Sequence, residues 1–137
     1  MNERVVVVNA GKMNYDHLLD FSVLSNDVQV YDDSTNAELI ERIQGATVVV
    51  TKEIPVGPEL LSQFPESVKL IVEAGTGYNN IDLDAARAKG ITVCNIPAYS
   101  TERVAHTAIM MLLNFASTMQ QQIGMLARGD RSNFTKH

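Results

Sequence analysis

Short apolar runs alternate with segments of helical periodicity along the first hundred residues of the chain. The apolar runs are rich in valine and isoleucine, as β-strands are, and cover residues 5–8, 28–31, 47–50, 70–72 and 92–94. Between them, apolar residues recur three or four positions apart, which predicts helices over residues 15–21, 37–43, 58–61 and 83–88. This alternation predicts an α/β fold, a doubly wound, five-stranded parallel sheet with helices on both faces.

The ends of the fourth predicted helix carry clear signals. Asp82 is placed to cap the helix that begins at Leu83, because a carboxylate accepts hydrogen bonds from the first free amides. Lys89 and Gly90 follow its last turn, where a cation meets the negative end of the helix dipole and glycine turns left-handed without strain. The sequence therefore predicts both ends of this helix.

A more apolar segment, residues 101–123, predicts one long helix after the sheet. Its apolar residues lie on two opposite sides, with Val104, Ala108, Met111, Leu112 and Phe115 on one and Ala105, Ile109, Leu113 and Ala116 on the other. A helix that is apolar all round is normally buried all round, and a sheet covers only one side of it. We therefore expect the other side to contact a further domain or a second copy of the chain.

The pattern divides the chain into three parts. Residues 1–100 are expected to form the sheet domain, and residues 101–124 a linking helix. Residues 125–137 are expected to form a polar tail.

Composition and charge narrow the classes of function. The chain has 137 residues, 45% hydrophobic and 20% charged, which suits one globular domain with a core. The net charge is −5 and basic residues do not cluster, so we expect no nucleic-acid binding. One cysteine and a start unlike a secretory leader predict a reduced, cytoplasmic protein. The longest apolar stretch falls short of the ~18 residues of a membrane span, so we expect no membrane anchor.

Four loops follow the carboxyl ends of predicted strands, where parallel α/β sheets bind their ligands. These loops are residues 9–12, 51–55, 74–80 and 95–101. All four contain small, polar or cationic residues, and the topology brings them to one edge of the sheet. The sequence therefore predicts ligand binding at that edge.

The third of these loops contains Gly75 and Gly77, one residue apart. A dinucleotide loop requires a further glycine three residues on and a helix that begins at once, but Asn80 occupies that position. Two interpretations stay open. The backbone amides of a turn with left-handed residues form an anion-binding concavity, or the glycines only serve a tight strand-to-helix turn that needs positive φ.

Other candidate residues also have two interpretations each. Lys52 follows the third strand and either binds an anion at the edge or is a solvated surface lysine. Ser100 either caps the last helix or contacts a ligand. His106 has no acidic partner nearby in sequence, so packing is favoured over acid–base chemistry, and Cys94 is expected in the core. The methionines indicate helix packing, and no metal site is expected.

One long run resembles a known family. Residues 69–113, KLIVEAGTGYNNIDLDAARAKGITVCNIPAYSTERVAHTAIMMLL, resemble the D-isomer-specific 2-hydroxyacid dehydrogenases, especially glycerate dehydrogenase or hydroxypyruvate reductase and phosphoglycerate dehydrogenase. The run matches the family's order of strand, glycine loop, Asp-capped helix, Asn-x-Pro loop and linking helix. A weaker similarity of layout extends from Val5 to about Gly124.

The resemblance implies an activity and a set of contacts. It implies a flavodoxin-like substrate domain joined by the last helix to a Rossmann domain that binds NAD or NADP. The polar tail, residues 125–137, then leads to that nucleotide-binding domain, which this sequence lacks. The resemblance also implies the reduction of a 2-keto acid such as hydroxypyruvate, glyoxylate or phosphohydroxypyruvate. It implies that the amides of Thr76 and Gly77 hold the substrate carboxylate and that Lys52 contacts the substrate. It further implies that Ser100 faces the cleft and that Val104 lies against the cofactor.

The resemblance also implies what this sequence lacks. The family's glycine-rich cofactor loop, its substrate-binding arginine and its acid–base histidine belong to the second domain, so no catalytic residue is expected here. We expect an isolated substrate domain without turnover that dimerises through its last helix. The alternative is a non-catalytic, corepressor-like interaction module of the same fold. A signalling receiver is disfavoured, because Asn9 and Lys52 stand where such a protein carries acidic residues.

Overall fold

The computed structural model describes residues 3–132 and contains one five-stranded, all-parallel sheet. Its strands are β1 Arg4–Val7, β2 Asp27–Val30, β3 Val48–Thr51, β4 Leu70–Glu73 and β5 Thr92–Cys94. They lie in the order β2-β1-β3-β4-β5. This is the strand order of the flavodoxin-like fold, so the predicted fold class is confirmed.

Five α-helices accompany the sheet within the described residues. They are α1 Asn36–Arg42, α2 Pro58–Ser62, α3 Leu83–Ala88, α4 Thr101–Ser117 and α5 Met119–Ala127. Asp82 caps α3 by accepting a hydrogen bond of 2.8 Å from the amide of Ala85, and Gly90 follows the helix with φ of 69°. Both predicted ends of α3 are therefore confirmed.

The main core lies between the sheet and three of these helices. The connections from β2 to β5 all advance in one direction across the sheet, so right-handed crossovers place α1, α2 and α3 on the same face. Fully buried residues of the strands and helices meet there, among them Val6, Val8, Leu39, Ile43, Val49, Leu61 and Ile71. This face is closed, and it holds the strands at fixed positions.

The opposite face of the sheet is covered by the connection between β1 and β2. Val5, Val7 and Val50 are buried there, with Met13 and Phe21 half-buried against them. Cys94, at the end of the edge strand β5, is exposed. The prediction that Cys94 is a core residue is therefore wrong, because the connection does not bury that end of β5.

The helix predicted over residues 15–21 is absent, and turns take its place, with short 3-10 turns at Ala10–Lys12 and Phe21–Leu24. The side chain of Asn14 bonds both main-chain groups of Leu19, accepting from the amide at 2.8 Å and donating to the carbonyl at 3.3 Å. Asp16 accepts from the amide of Leu18, and His17 has φ of 58°. These side chains bond amides that a helix would bond to its own carbonyl groups. This competition explains why the apolar periodicity predicts a helix that does not form.

The residues up to Pro97 and those from Ala98 onward form two compact units, and each is described by itself. In the second unit, the predicted single helix is two helices that meet at Thr118, whose φ of 51° is left-handed. No residue of α4 is buried by the described part of the chain. The predicted tail begins within α5, and its residues 133–137 lie outside the described residues.

Candidate functional site

Three loops meet at the carboxyl edge of the sheet, because β1, β3 and β4 are neighbours. Asn9 lies beyond the end of β1, Lys52 directly follows β3, and residues 74–80 follow β4. The side chain of Asn9 bonds the main chain of the segment after β3, and the side chain of Lys52 bonds the segment after β4. The predicted edge is therefore the place where the polar residues of the first unit come together.

Residues 75–77, the amide loop, carry free main-chain donors. The loop is fixed through its carbonyl groups, since the amide of Ile96 donates to the carbonyl of Gly75 at 2.9 Å and the Asn95 side chain to that of Thr76 at 2.8 Å. The amides of Thr76 and Gly77 donate to no acceptor within residues 3–132. Thr76 and Gly77 are also exposed. Two adjacent amides are thus available to an anionic ligand.

The backbone conformation of the amide loop differs from both predictions made for it. Glycines with positive φ occur at Gly45, Gly90 and Gly129 of the described chain, but not at Gly75 or Gly77. The prediction of left-handed residues in a concavity is therefore wrong for this loop, and so is the prediction of a turn that needs positive φ. The donors come from a loop of ordinary φ values that its carbonyl contacts hold in place.

The side chain of Lys52 lies against the amide loop. Its Nζ donates to the carbonyl oxygen of Ala74 at 3.3 Å and is 3.6 Å from Oε1 of Glu53. Only 18% of the side chain is exposed. A Cβ added to the buried Gly75 would lie 3.4 Å from the same Nζ, which places the ammonium group directly beside this glycine. The interpretation of Lys52 as a freely solvated lysine is therefore wrong.

Two buried polar residues that the sequence did not single out as functional hold the segment after β3. Asn9 donates to the carbonyl of Lys52 at 2.6 Å and accepts from its amide at 2.9 Å. Glu73 accepts from the amide of Glu53 at 2.9 Å and from the side chain of Asn80 at 3.0 Å. Asn9 and Glu73 are both fully buried. The sequence offered one signal for both residues, a polar side chain at or just beyond the end of a mostly apolar strand.

The other sequence candidates belong to the second unit. Ser100 is half-buried and precedes α4, but its side chain makes no capping hydrogen bond, so the capping interpretation is wrong. Val104 lies in the first turn of α4 and is 63% exposed. His106 is exposed as well, which contradicts the expectation that it packs among apolar residues.

The described residues contain neither a cluster that could hold a metal ion nor a helix that could cross a membrane. Between residues 3 and 132, no three histidine, cysteine or acidic side chains lie close enough together to hold a metal ion. Within the same range, no helix has the length and apolar character needed to cross a membrane.

The strand order defines a flavodoxin-like α/β domain, and its carboxyl edge offers free main-chain donors. The family model described as D-isomer specific 2-hydroxyacid dehydrogenase, catalytic domain, matches residues 5–129. The chain therefore belongs to the D-isomer specific 2-hydroxyacid dehydrogenase family, as the resemblance of residues 69–113 indicates.

Individual relatives agree with this assignment. The chain is 33% identical over 96 residues to a glycerate dehydrogenase of Methylorubrum extorquens, covering 70% of this chain and 30% of that protein. It is 40% identical over 76 residues to a hydroxypyruvate reductase of Blautia hydrogenotrophica, covering 56% of this chain and 23% of that protein. The chain thus spans less than a third of the length of either relative.

A solved structure shows the same fold. D-lactate dehydrogenase from Aquifex aeolicus, complexed with NAD and lactic acid, superimposes with a TM-score of 0.76. The match covers 93% of this chain and 38% of that chain, at 24% identity.

Proposed function

We propose that this chain supplies the substrate-binding part of an NAD(P)-dependent oxidoreductase that interconverts a small 2-hydroxy acid and its 2-keto acid. Hydroxypyruvate is the proposed keto acid, with glyoxylate and phosphohydroxypyruvate as further candidates. The relatives that reduce hydroxypyruvate or oxidise glycerate, by their names, support this choice. The observation that carries the proposal is the pair of free amides beside the Lys52 ammonium group.

The substrate carboxylate is bound by the amides of Thr76 and Gly77. Both residues are exposed and their amides have no acceptor in the described chain, so they offer a carboxylate two hydrogen bonds without breaking any of the fold's own. Lys52 adds a positive charge, and hydrogen bonds to charged groups are stronger than neutral ones. Ser100, which directly precedes α4, is proposed as a further substrate contact.

The amide loop does not fit the phosphates of a dinucleotide. Asn80 stands where a third glycine would be needed, and its side chain is already bonded to Glu73 and to the carbonyl of Ile54 at 2.8 Å. We therefore place NAD or NADP mainly on residues outside this sequence. Val104, an exposed apolar residue, is the contact that this chain contributes to the cofactor. When bound, the nicotinamide supplies the hydride.

The acid–base group of the reaction is also placed outside this chain, so we expect no turnover by these residues alone. The remaining role of the chain is to bind and orient the carboxylate of the substrate. Orientation matters because hydride transfer requires the reacting atoms within about 3–3.5 Å of each other. A cytoplasmic location and a homodimer formed through α4 are part of the same proposal.

Titration of the 137-residue chain with hydroxypyruvate tests the proposal. Amide proton and nitrogen NMR shifts are followed, and the expected result is saturable change at Thr76 and Gly77 with a dissociation constant in the micromolar to millimolar range. Glycerol, which lacks the carboxylate, is the control and should cause no change at these amides. Absence of saturable change with hydroxypyruvate, glyoxylate and phosphohydroxypyruvate alike would contradict the proposed function. Binding of a peptide partner instead would favour the corepressor-like module.

A further inference from the structure

The segment after β3 is held by side chains from two other parts of the sheet edge. The amide and carbonyl of Lys52 both bond to Asn9, which follows β1. The amide of Glu53 bonds to Glu73, the last residue of β4, and the carbonyl of Ile54 bonds to Asn80. Four main-chain groups on three consecutive residues are thus bonded by side chains rather than by a sheet or a helix.

Two features of this segment are unfavourable for the free energy of folding, which suggests that they serve a function. Glu73 is completely buried at the end of a strand whose other residues are apolar, and a buried carboxylate is unfavourable unless its oxygens are bonded. Glu53 has φ of 58°, a left-handed conformation that is strained for a residue with a side chain. Strained residues persist where the surrounding structure holds them, as the bond to Glu73 does here.

These hydrogen bonds fix the place of the Lys52 ammonium group. The backbone of Lys52 is fixed on both sides, and its side chain extends to the carbonyl of Ala74 and the position beside Gly75. A flexible lysine normally loses rotamer entropy when it binds an anion. Here much of that loss has already occurred in the free protein, because the side chain is mostly buried.

We propose that Asn9 and Glu73 are positioning residues for Lys52, which hold its ammonium group beside the amide loop before the substrate arrives. Neither residue contacts the substrate. Both side-chain oxygens of Glu73 accept hydrogen bonds, Oε1 from the Glu53 amide at 2.9 Å and Oε2 from the Asn80 side chain at 3.0 Å, so Glu73 holds the segment after β3 in place. The proposal rests on the proposed function in one respect, namely that Lys52 contacts a carboxylate.

The first experiment measures the position of Lys52 without any substrate. The free chain is acetylated with limiting acetic anhydride, and the rate at Lys52 is compared with that at the exposed Lys69 by mass spectrometry of peptides. In Asn9→Ala and in Glu73→Leu, we expect Lys52 to react about fivefold faster relative to Lys69, as loss of hydrogen bonds that hold it would allow. Glu73→Gln should restore most of the protection, because its amide oxygen can still accept from Glu53.

The control for this experiment is Ser25→Ala. Ser25 donates to the carbonyl of Glu3 at 2.6 Å before the start of β2, at the opposite edge of the sheet, so its loss should leave the Lys52 rate unchanged. If Asn9→Ala does not fold, Asn9→Asp replaces it, since that variant loses the donor to the Lys52 carbonyl but keeps the acceptor. An unchanged Lys52 rate in the folded variants of both residues would overturn the proposal.

The second experiment separates a positioning role from a purely structural one by a double-mutant cycle. Hydroxypyruvate affinity is measured for Asn9→Ala, for Lys52→Met and for the double variant. We expect Asn9→Ala to weaken binding about fivefold when Lys52 is present and to have no effect when it is methionine. Equal effects in both backgrounds would show that Asn9 acts without Lys52. If the unmodified chain binds no keto acid, the proposed function fails, while the acetylation rates still decide the positioning role.

Discussion

Nζ of Lys52 donates to the carbonyl oxygen of Ala74 at 3.3 Å, which joins the segment after β3 to the segment after β4. Through this contact, a cation from one strand end lies beside Gly75, the residue that directly precedes the free amides of Thr76 and Gly77. Replacement of Lys52 by methionine keeps most of the aliphatic side chain and removes the charge. We expect keto-acid binding to weaken by roughly 1–3 kcal/mol, the range for a hydrogen bond to a charged group.

Lys89→Met is the matched control for Lys52→Met. Lys89 is also bonded to two carbonyl groups, those of Ser62 and Phe64 at 2.9 and 2.7 Å, but it lies after α3, where the chain returns to the start of β5. Its loss should lower the melting temperature without a change in affinity, both measured on the same samples. Equal affinities for Lys52→Met and the unmodified chain would contradict the substrate contact.

A second prediction concerns the conformation of Gly77. Its φ is not positive, and an added Cβ would make only an ordinary contact of 3.5 Å with Oδ1 of Asn79. Gly77→Ala should therefore leave the free energy of unfolding within about 0.5 kcal/mol or raise it slightly, through lower entropy of the unfolded chain.

Gly45→Ala provides the contrast. Gly45 has φ of 72°, and nothing lies within 4 Å of an added Cβ, so only the backbone conformation opposes the substitution. We expect a loss of about 1–2 kcal/mol, the cost of left-handed backbone for alanine. Urea denaturation of both variants makes the comparison, and an equal loss at the two positions would show that Gly77 is left-handed in solution.

The elements that the sequence predicts well are those whose signals are local. Asp82 and Gly90 fix the two ends of α3, and the predicted bounds of this helix agree with the structure. The apolar periodicity of residues 15–21 is equally regular, yet no helix forms there. The side chains of Asn14 and Asp16 accept hydrogen bonds from amides that a helix would bond to its own carbonyl groups. Periodicity reports which side chains are apolar, not which acceptors the amides find.

The site is only partly predictable for a different reason. The edge of the sheet follows from topology, so the loops that contain Lys52 and Gly75 are found from the pattern alone. The main chain of Lys52 is bonded to Asn9, which is 43 positions away in sequence, and no local pattern encodes that contact. Likewise, the conformation of the amide loop depends on its carbonyl contacts with the residues after β5.

A third prediction concerns the start of α1, where Thr35 and Glu38 cap each other. The Thr35 amide donates to Glu38 at 2.8 Å, and hydrogen bonds from Thr35, with a smaller effect of Arg42, hold the pKa of Glu38 below its usual value of 4.5. Because the pKa is lowered in the folded state, the stabilisation is complete above the unfolded value and is lost as pH falls through the folded one. Glu38→Gln should therefore show a flatter decline in melting temperature below about pH 4.5 than the unmodified chain. Parallel curves for the two proteins would contradict the shift.

The fourth prediction concerns the apolar surface of α4. Ile109, Leu113 and Phe115 are 55%, 59% and 85% exposed in the described chain, together with most other large apolar residues of this helix. Contiguous apolar patches beyond a few hundred Å² are uncommon on soluble monomers, because their exposure to water is unfavourable.

We expect this surface to pair with the α4 helix of a second copy, since a two-fold dimer brings the same patch of each chain together. Sedimentation of the 137-residue chain at low micromolar concentration should give a dimer. The double variant Ile109→Ser with Leu113→Ser removes two apolar side chains from one side of the helix, and it should sediment as a monomer or aggregate. The matched control, Glu102→Gln with Arg103→Gln, alters only polar positions of the same helix and should remain dimeric. A well-folded monomer of the unmodified chain under these conditions would contradict the pairing.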